Sequence, residues 1–285
     1  MTDNGTNYWY VEAENTAETT RYPTSGTLSF TVVTKPVPWT LFLVPTLAAN
    51  KKIPVTTNSS GLNDTGIIWG GGTVSGNNST CTPGVQDCSS GRDNTDNYDT
   101  DGHAGFSFTK LDSSGAALAD QAQDYATNPW SCVKDEVTGL IWAVKTTTGL
   151  HDSTYTYSWY NTDAATNGGA DGTQNPFFGS CDDNHDCNTT SYVDWVNSQG
   201  LCGATDWRVP SVKELLSIVS YNAAGTTAID STFFPNTATD RTFWTSTPVS
   251  EASTEAWSVH FQYGYTAKSA KSSTLYVRLV RTAPN

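Results

Sequence analysis

The chain of 285 residues carries 36% hydrophobic side chains, ten of them Trp, which is too much apolar surface for a disordered polymer and enough for one large domain or two smaller ones. Its formal charge of −13 repels nucleic acid, anionic lipid and sulfated glycans at long range, so polyanion partners are disfavoured. Charged residues make up only 15%, Thr, Ser, Asn and Gly fill the polar positions, and there is one Met, a balance typical of loop-rich extracellular proteins. No apolar run reaches the length of a membrane-spanning helix, so no membrane insertion is expected. The opening MTDNGTNYWYVEAEN has neither a basic nor an apolar leader region, and no export signal is read in it.

Taken in order, residues 1–34 read as two strands around a turn, YWYVEAEN and TLSFTVV, and resemble the last hairpin of a fibronectin type III domain. Such a hairpin is not stable alone and is expected to belong to a longer multidomain protein. Residues 35–62, with Pro36, Pro38, Pro45 and Pro54 around WTLFLV, read as a linker with one strand. From Asn63 to Gly105 the composition predicts long turns. Within them, in NYDTDGHAG, Asn97, Asp99, Asp101 and Gly102 match the first half of a calcium loop. Position twelve would be Phe108 where a bidentate Glu is needed. This is not an EF-hand, and a looser Ca2+ site would borrow Asp93 or Asp96; the alternative is a hydrophilic loop with Asx turns. Asp182, Asp183 and Asp186 form a weaker cluster of the same kind.

GFSFTKLD and GLIWAVKT alternate like strands. Tyr192, Trp195 and Val196 before Gly200 predict a first helix, and Ser211 to Tyr221 a second, opened by the capping box of Ser211 and Glu214, with Leu215, Ile218 and Val219 as its buried stripe. In DWR just upstream, a buried Asp206 and Arg208 would form a structural ion pair at a bend. The chain then returns to strands through FWTSTP, AWSVHF and LYVRLVR. In AWSVHFQYGY, Trp257, Val259 and Phe261 alternate with Ser258, His260 and Gln262. The first set is expected to face the core. The second, with Tyr263, Tyr265, Lys268 and Lys271 and with Glu251, Ser253, Thr254 and Glu255 in the loop before, is expected to face solvent as a recognition surface, since Tyr offers rigid contact area at low entropic cost.

The blocks WSCVKDEVTGLIW, YVDWVNSQGLCGATDWRVPSVKELLSIV, FFP, FWTSTP, AWSVHFQYG and YVRLVR, in that order, resemble the Lcl C-terminal domain family, named for a collagen-like surface adhesin. The resemblance runs from about Asn63 to Arg281 and sets a domain at residues 63–285. It implies an α+β, C-type lectin-like fold, similar to that of the formylglycine-generating enzyme, with two helices on a twisted antiparallel sheet and long loops. It also implies a secreted or surface-displayed ligand-binding module whose ligand face falls in residues 247–271, a face diversified in the retroelement-type variable proteins that share the fold. The partner is then a protein or glycan on a cell surface. The other class is a structural or assembly subunit of an extracellular filament or homo-oligomer.

Of the fifteen connectivities six Cys allow, we predict Cys81 with Cys88 and Cys181 with Cys187, each closing a short polar loop, and Cys132 with Cys202, which sit in two blocks of the resemblance. This points to an oxidising compartment, extracellular or cell surface. No hydrolase elbow, zinc-protease helix or phosphate loop occurs. The redox Cys that a formylglycine-generating activity needs near the carboxyl end has no counterpart after Cys202, and the lectin calcium signatures EPN and WND are absent. The chain is therefore expected to be no enzyme and to require no cofactor.

Overall fold

A computed structural model describes residues 61–68, 87, 100–176, 180–182, 185–223 and 226–284. The expectations for residues 1–60, for the Cys81–Cys88 pair, and for Asp93, Asp96, Asn97, Asp99 and Asp183 lie outside the described residues.

The first strands form where β-branched and aromatic residues alternate between turn signals. β1 (Phe108–Leu111), β2 (Cys132–Asp135), β3 (Leu140–Ala143) and the late strand β9 (Val280–Thr282) make an antiparallel sheet in the order β1-β2-β3-β9. Asp135 makes the β2–β3 turn: its carboxylate accepts from the backbone N–H of Val137 at 3.0 Å and of Thr138 at 3.1 Å. It also accepts from Asn63 Nδ2 at 2.5 Å, and Gly61 N–H donates to the Val137 carbonyl at 3.0 Å, so residues 61–65 are tied to this turn. β4 (Tyr157–Ser158) pairs with β8 (Thr274–Leu275), and β5 (Thr242–Val249), β6 (Ala252–His260) and β7 (Thr266–Ala270) form a third antiparallel sheet. The chain is α+β.

Helix α1 (Thr189–Gln199) starts at Asn188, whose side chain accepts from Ser191 N–H at 2.9 Å, and ends at Gly200 in the left-handed region at φ 65°. Helix α2 (Val212–Leu216) has both halves of the predicted capping box. It is shorter than the predicted span to Tyr221, because Ser217 N–H is shared between the Lys213 and Glu214 carbonyls while its hydroxyl donates to Glu214 O at 2.7 Å, tightening and closing the last turn. Leu215, Ile218 and Val219 are nevertheless all buried.

The DWR segment departs from expectation. Asp206 and Arg208 are both part-exposed and do not pair with each other. Arg208 makes a bidentate pair with Glu214, at 2.8 and 2.5 Å, while Asp206 accepts from Arg281 Nε at 2.6 Å. Their true partners come from α2 and β9, and the Arg208 backbone pairs with Val280 through two 2.9 Å bonds.

The β5-β6-β7 sheet stands between two apolar clusters. Phe243, Val259 and Phe261 belong to one, with Trp142, Leu215 and Phe233. Trp244 and Ala256 belong to the other, with Trp159, Tyr192 and Trp207. The bridge between Cys132 and Cys202 lies within the second cluster, and the Cys181–Cys187 bridge closes the loop before α1; both were predicted.

Cations enter this core and are met by carbonyls and ring faces in place of carboxylates. Lys110 Nζ donates to Gln123 O at 2.9 Å and lies 4.2 Å from the Trp130 ring centroid. Arg278 donates to Ala143 O and Thr237 Oγ1, each at 2.6 Å, beside the Phe234 ring. Lys145, only 1% exposed, is pushed down from 10.5 to about 7, first by burial and then by Arg278. His151 keeps some surface exposure but is lowered to about 3, first by burial and then by Lys145. Both groups bind protons more readily in the unfolded chain, so both make stability rise with pH: His151 between about 3 and 6.5, Lys145 between about 7 and 10.5. In low-salt buffer the protein should gain about 2 kcal/mol from Lys145 between pH 7 and 9, and the Lys145→Met variant should lack that gain. Denaturant melts across this range in which the variant keeps the wild-type slope would contradict the assignment.

Candidate functional site

The turn joining β6 to β7 is set by Gly264, at φ 72°, whose N–H donates to His260 O at 2.8 Å while His260 N–H donates to Tyr265 O at 3.0 Å. A Cβ on Gly264 would lie 2.6 Å from the Tyr221 ring and 2.7 Å from Val219, so only glycine fits. Tyr221 OH clamps the turn by donating to Gly264 O at 3.0 Å.

This geometry sends Phe261 fully into the core and sets the Tyr263 and Tyr265 rings beside each other, 6.0 Å apart and 18° from parallel. Each Tyr keeps about half its surface exposed, at 49% and 48%. His260 packs beneath them, 5.0 Å from the Tyr265 ring and 5.4 Å from that of Tyr263. Its Nδ1 accepts from Gln262 N–H at 3.1 Å, which leaves the ring proton on Nε2, and burial holds its pKa below the ordinary value. The result is a rigid aromatic shelf with a neutral imidazole as its base.

Next to it, β7 pairs Lys268 opposite Trp257, and Lys268 Nζ sits 5.5 Å from the Trp257 ring while bonding Glu251 in the β5–β6 turn. The Lys268 ammonium holds the Glu251 carboxyl down at about 2. Ser253 and Thr254 are exposed, and Glu255 and Gln262 are half-buried.

Three expected placements along β6 are corrected. Ser258 is fully buried, with its hydroxyl 3.2 Å from Ala267 O and 3.0 Å from Ser269 Oγ; His260 is 9% exposed; Trp257, expected inside, is only half-buried. For Ser258 and His260 the reason is that β6 is the central strand and its end near the turn has apolar packing on both faces, so alternation there separates two buried faces; Trp257 lies opposite the exposed Lys268 of β7 and stays half in water. Lys271 is 2% exposed and turns inward: its Nζ donates to Asn167 O and Ala170 O, both at 2.7 Å, over the Trp159 ring at 4.2 Å. Lys271 pins the loop 161–172. The Lys271→Met variant should lose about 1 to 3 kcal/mol, because two loop carbonyls lose their donor, and hydrogen exchange should quicken within 161–172; unchanged exchange there would refute the pinning role.

That loop walls a cleft of about 360 Å3 that sequence reading did not find, lined by Trp159, Tyr160, Thr166, Thr190, Arg208 and Ser246. Thr190 and Thr189 at the start of α1 fix its floor by donating to Tyr160 O at 2.6 and 2.9 Å. The WYN run at 159–161 was the available signal, but its partners lie far along the chain.

Of the residues expected to hold calcium, only Asp101, with Gly102 of the same loop, lies among the described residues. Asp101 accepts from Ser107 Oγ at 2.8 Å, and among the described residues no group of three or more His, Cys, Asp or Glu side chains is placed to hold a metal ion. Among the described residues no helix is long and apolar enough to cross a membrane.

A family model described as the Lcl C-terminal domain matches residues 131–281, which takes in β2 through most of β9, the aromatic shelf and the cleft. No curated protein and no solved structure matches the chain.

Proposed function

This chain belongs to the Lcl C-terminal domain family, and from that premise we propose that it is a secreted or surface-displayed binding module of C-type lectin-like fold that acts by recognition and performs no catalysis. The observation that carries this reading is the pair of half-exposed, nearly parallel Tyr263 and Tyr265 rings, held by a glycine-specified turn on a buried His260. Tyr rings fixed in advance lose little freedom on binding, and such residues dominate recognition surfaces. The Glu251–Lys268 pair over Trp257 gives the shelf a polar flank on which a neutral protein or glycan surface can register. Disulfides at Cys132–Cys202 and Cys181–Cys187 agree with an extracellular or cell-surface setting. Exposed positions of residues 247–271 are also where we place any diversified binding face.

The test is capture of intact cells and of arrayed glycans by wild type and by the Tyr263→Ala/Tyr265→Ala variant. Loss of capture by the variant supports the reading. Equal capture would move the ligand face elsewhere and favour the alternative, an assembly subunit of an extracellular filament or oligomer.

A further inference from the structure

The cleft walled by loop 161–172 stands apart from the aromatic shelf. Its loop wall rests on the β5–β6 end of the third sheet: a Cβ on Gly168 would lie 2.5 Å from Pro248, and one on Gly169 would lie 3.6 Å from Ser253. The Tyr263 and Tyr265 shelf caps the β6–β7 turn, at the other end of β6. The cleft is also formed in advance. Lys271 pins its wall, and Thr189 and Thr190 fix its floor, so a small guest meets a surface that needs no ordering. Its volume of about 360 Å3 is that of a pocket for a small organic ligand.

What the cleft can offer a ligand is set by which groups are already used. Ser246 N–H donates to Pro210 O at 2.7 Å, so the β5 edge beside the cleft is taken and a peptide cannot add a strand there. Tyr160 N–H donates to Thr189 Oγ1 at 2.9 Å, Tyr160 O takes the hydroxyls of Thr189 and Thr190, and Asn161 N–H donates to Asp171 O at 2.8 Å. Side chains remain. The Ser246 and Tyr160 hydroxyls make no hydrogen bond among the described residues. Thr190 Oγ1 has given its proton and is left to accept, and Arg208 keeps N–H groups beyond the two that it gives to Glu214. Donors, an acceptor and hydroxyls that do both therefore share one small space.

Charge narrows the ligand class. Among the described residues Arg208 is the one charged side chain lining the cleft, and the bidentate Glu214 carboxylate matches it, so neither an anion nor a cation meets an uncompensated partner. Trp159, Val193 and Val209 give the cleft apolar lining, yet a wholly apolar guest would strip water from the Ser246, Tyr160 and Thr190 hydroxyls and return no bond. We propose that the cleft binds a neutral sugar of one or two rings, whose C–H face covers the apolar lining and whose hydroxyls exchange hydrogen bonds with Ser246, Tyr160, Thr190 and Arg208.

Calorimetric titration of the full chain with glucose, maltose, cellobiose, lactose and chitobiose tests this, with sodium glucuronate as the charged probe. At least one neutral sugar should bind saturably, one per chain. The Ser246→Phe variant, which fills the cleft, should weaken that binding tenfold or more, while Tyr263→Ala/Tyr265→Ala leaves it unchanged; failure of the shelf as a recognition surface would not alter this result. Should Ser246→Phe fail to fold, Thr166→Trp, on the exposed loop, obstructs the cleft instead and should weaken binding likewise. No saturable binding of any of the five sugars by wild type would overturn the proposal, as would binding that the filled cleft retains. Tighter binding of glucuronate than of glucose would overturn the neutral class, and loss of binding in the shelf variant alone would place the sugar on the shelf and refute the cleft site.

Discussion

Replacing Cys132 and Cys202 together with Ala should lower stability by about 4 kcal/mol. The bridge closes a loop with a sequence separation of 70, and the entropy removed from the unfolded chain grows with the logarithm of loop length. Both sulfurs lie in the apolar cluster shared with Trp159, Tyr192 and Trp207, and the bridge joins β2 to the turn that follows α1. The Cys181–Cys187 bridge, with a separation of 6, should contribute only about 2 kcal/mol on the same model. Denaturant melts of the two double variants measure the difference; a smaller loss for the long loop than for the short one would mean that the bridges act through native-state strain instead of chain entropy.

Phe261→Ala should cost about 3 to 5 kcal/mol, as expected for a buried aromatic cut back to a methyl group. Phe261 is fully buried, meets Phe243 edge-on at 5.0 Å, and its carbonyl accepts from Ala228 N–H at 2.6 Å. Tyr265→Ala, four residues along the same hairpin, should cost under about 0.5 kcal/mol, because the ring is half in water already. His260→Ala falls between them, at about 1 to 2 kcal/mol, since it removes a buried ring and leaves Gln262 N–H without its acceptor. The exposed placement expected from alternation would have made that substitution nearly neutral. Melts that rank Tyr265→Ala as the most damaging of the three would mean the hairpin is packed the other way round.

Local signals carried much of the fold. The Ser211 cap, the terminating Gly200, the β1 and β3 strands and the inward Val259 and Phe261 all follow from residues within a few positions of one another. What escaped was set by distant partners. Lys271 looks like a surface cation until Trp159 and the carbonyls of Asn167 and Ala170, about a hundred positions earlier, close around it. Asp206 looks like the partner of Arg208 until Arg281, 75 residues away, takes it. Ser258 reads as exposed because a period of two distinguishes the faces of a strand and says nothing of what covers them. The Tyr263 and Tyr265 shelf was legible as a list of residue types, whereas its near-parallel rings depend on the Gly264 turn and on the Tyr221 clamp from another element.

The claim at the centre of this account is that recognition resides on that shelf and is separable from the fold. Measuring the affinity of the Tyr263→Ala/Tyr265→Ala variant for the cell surface or glycan that captures wild type, together with its melting temperature, tests it most directly. Two truncated aromatic anchors should weaken binding by a hundredfold or more, on the order of 3 kcal/mol, while the melting temperature stays near that of wild type. Wild-type affinity in a fully folded variant would contradict the account.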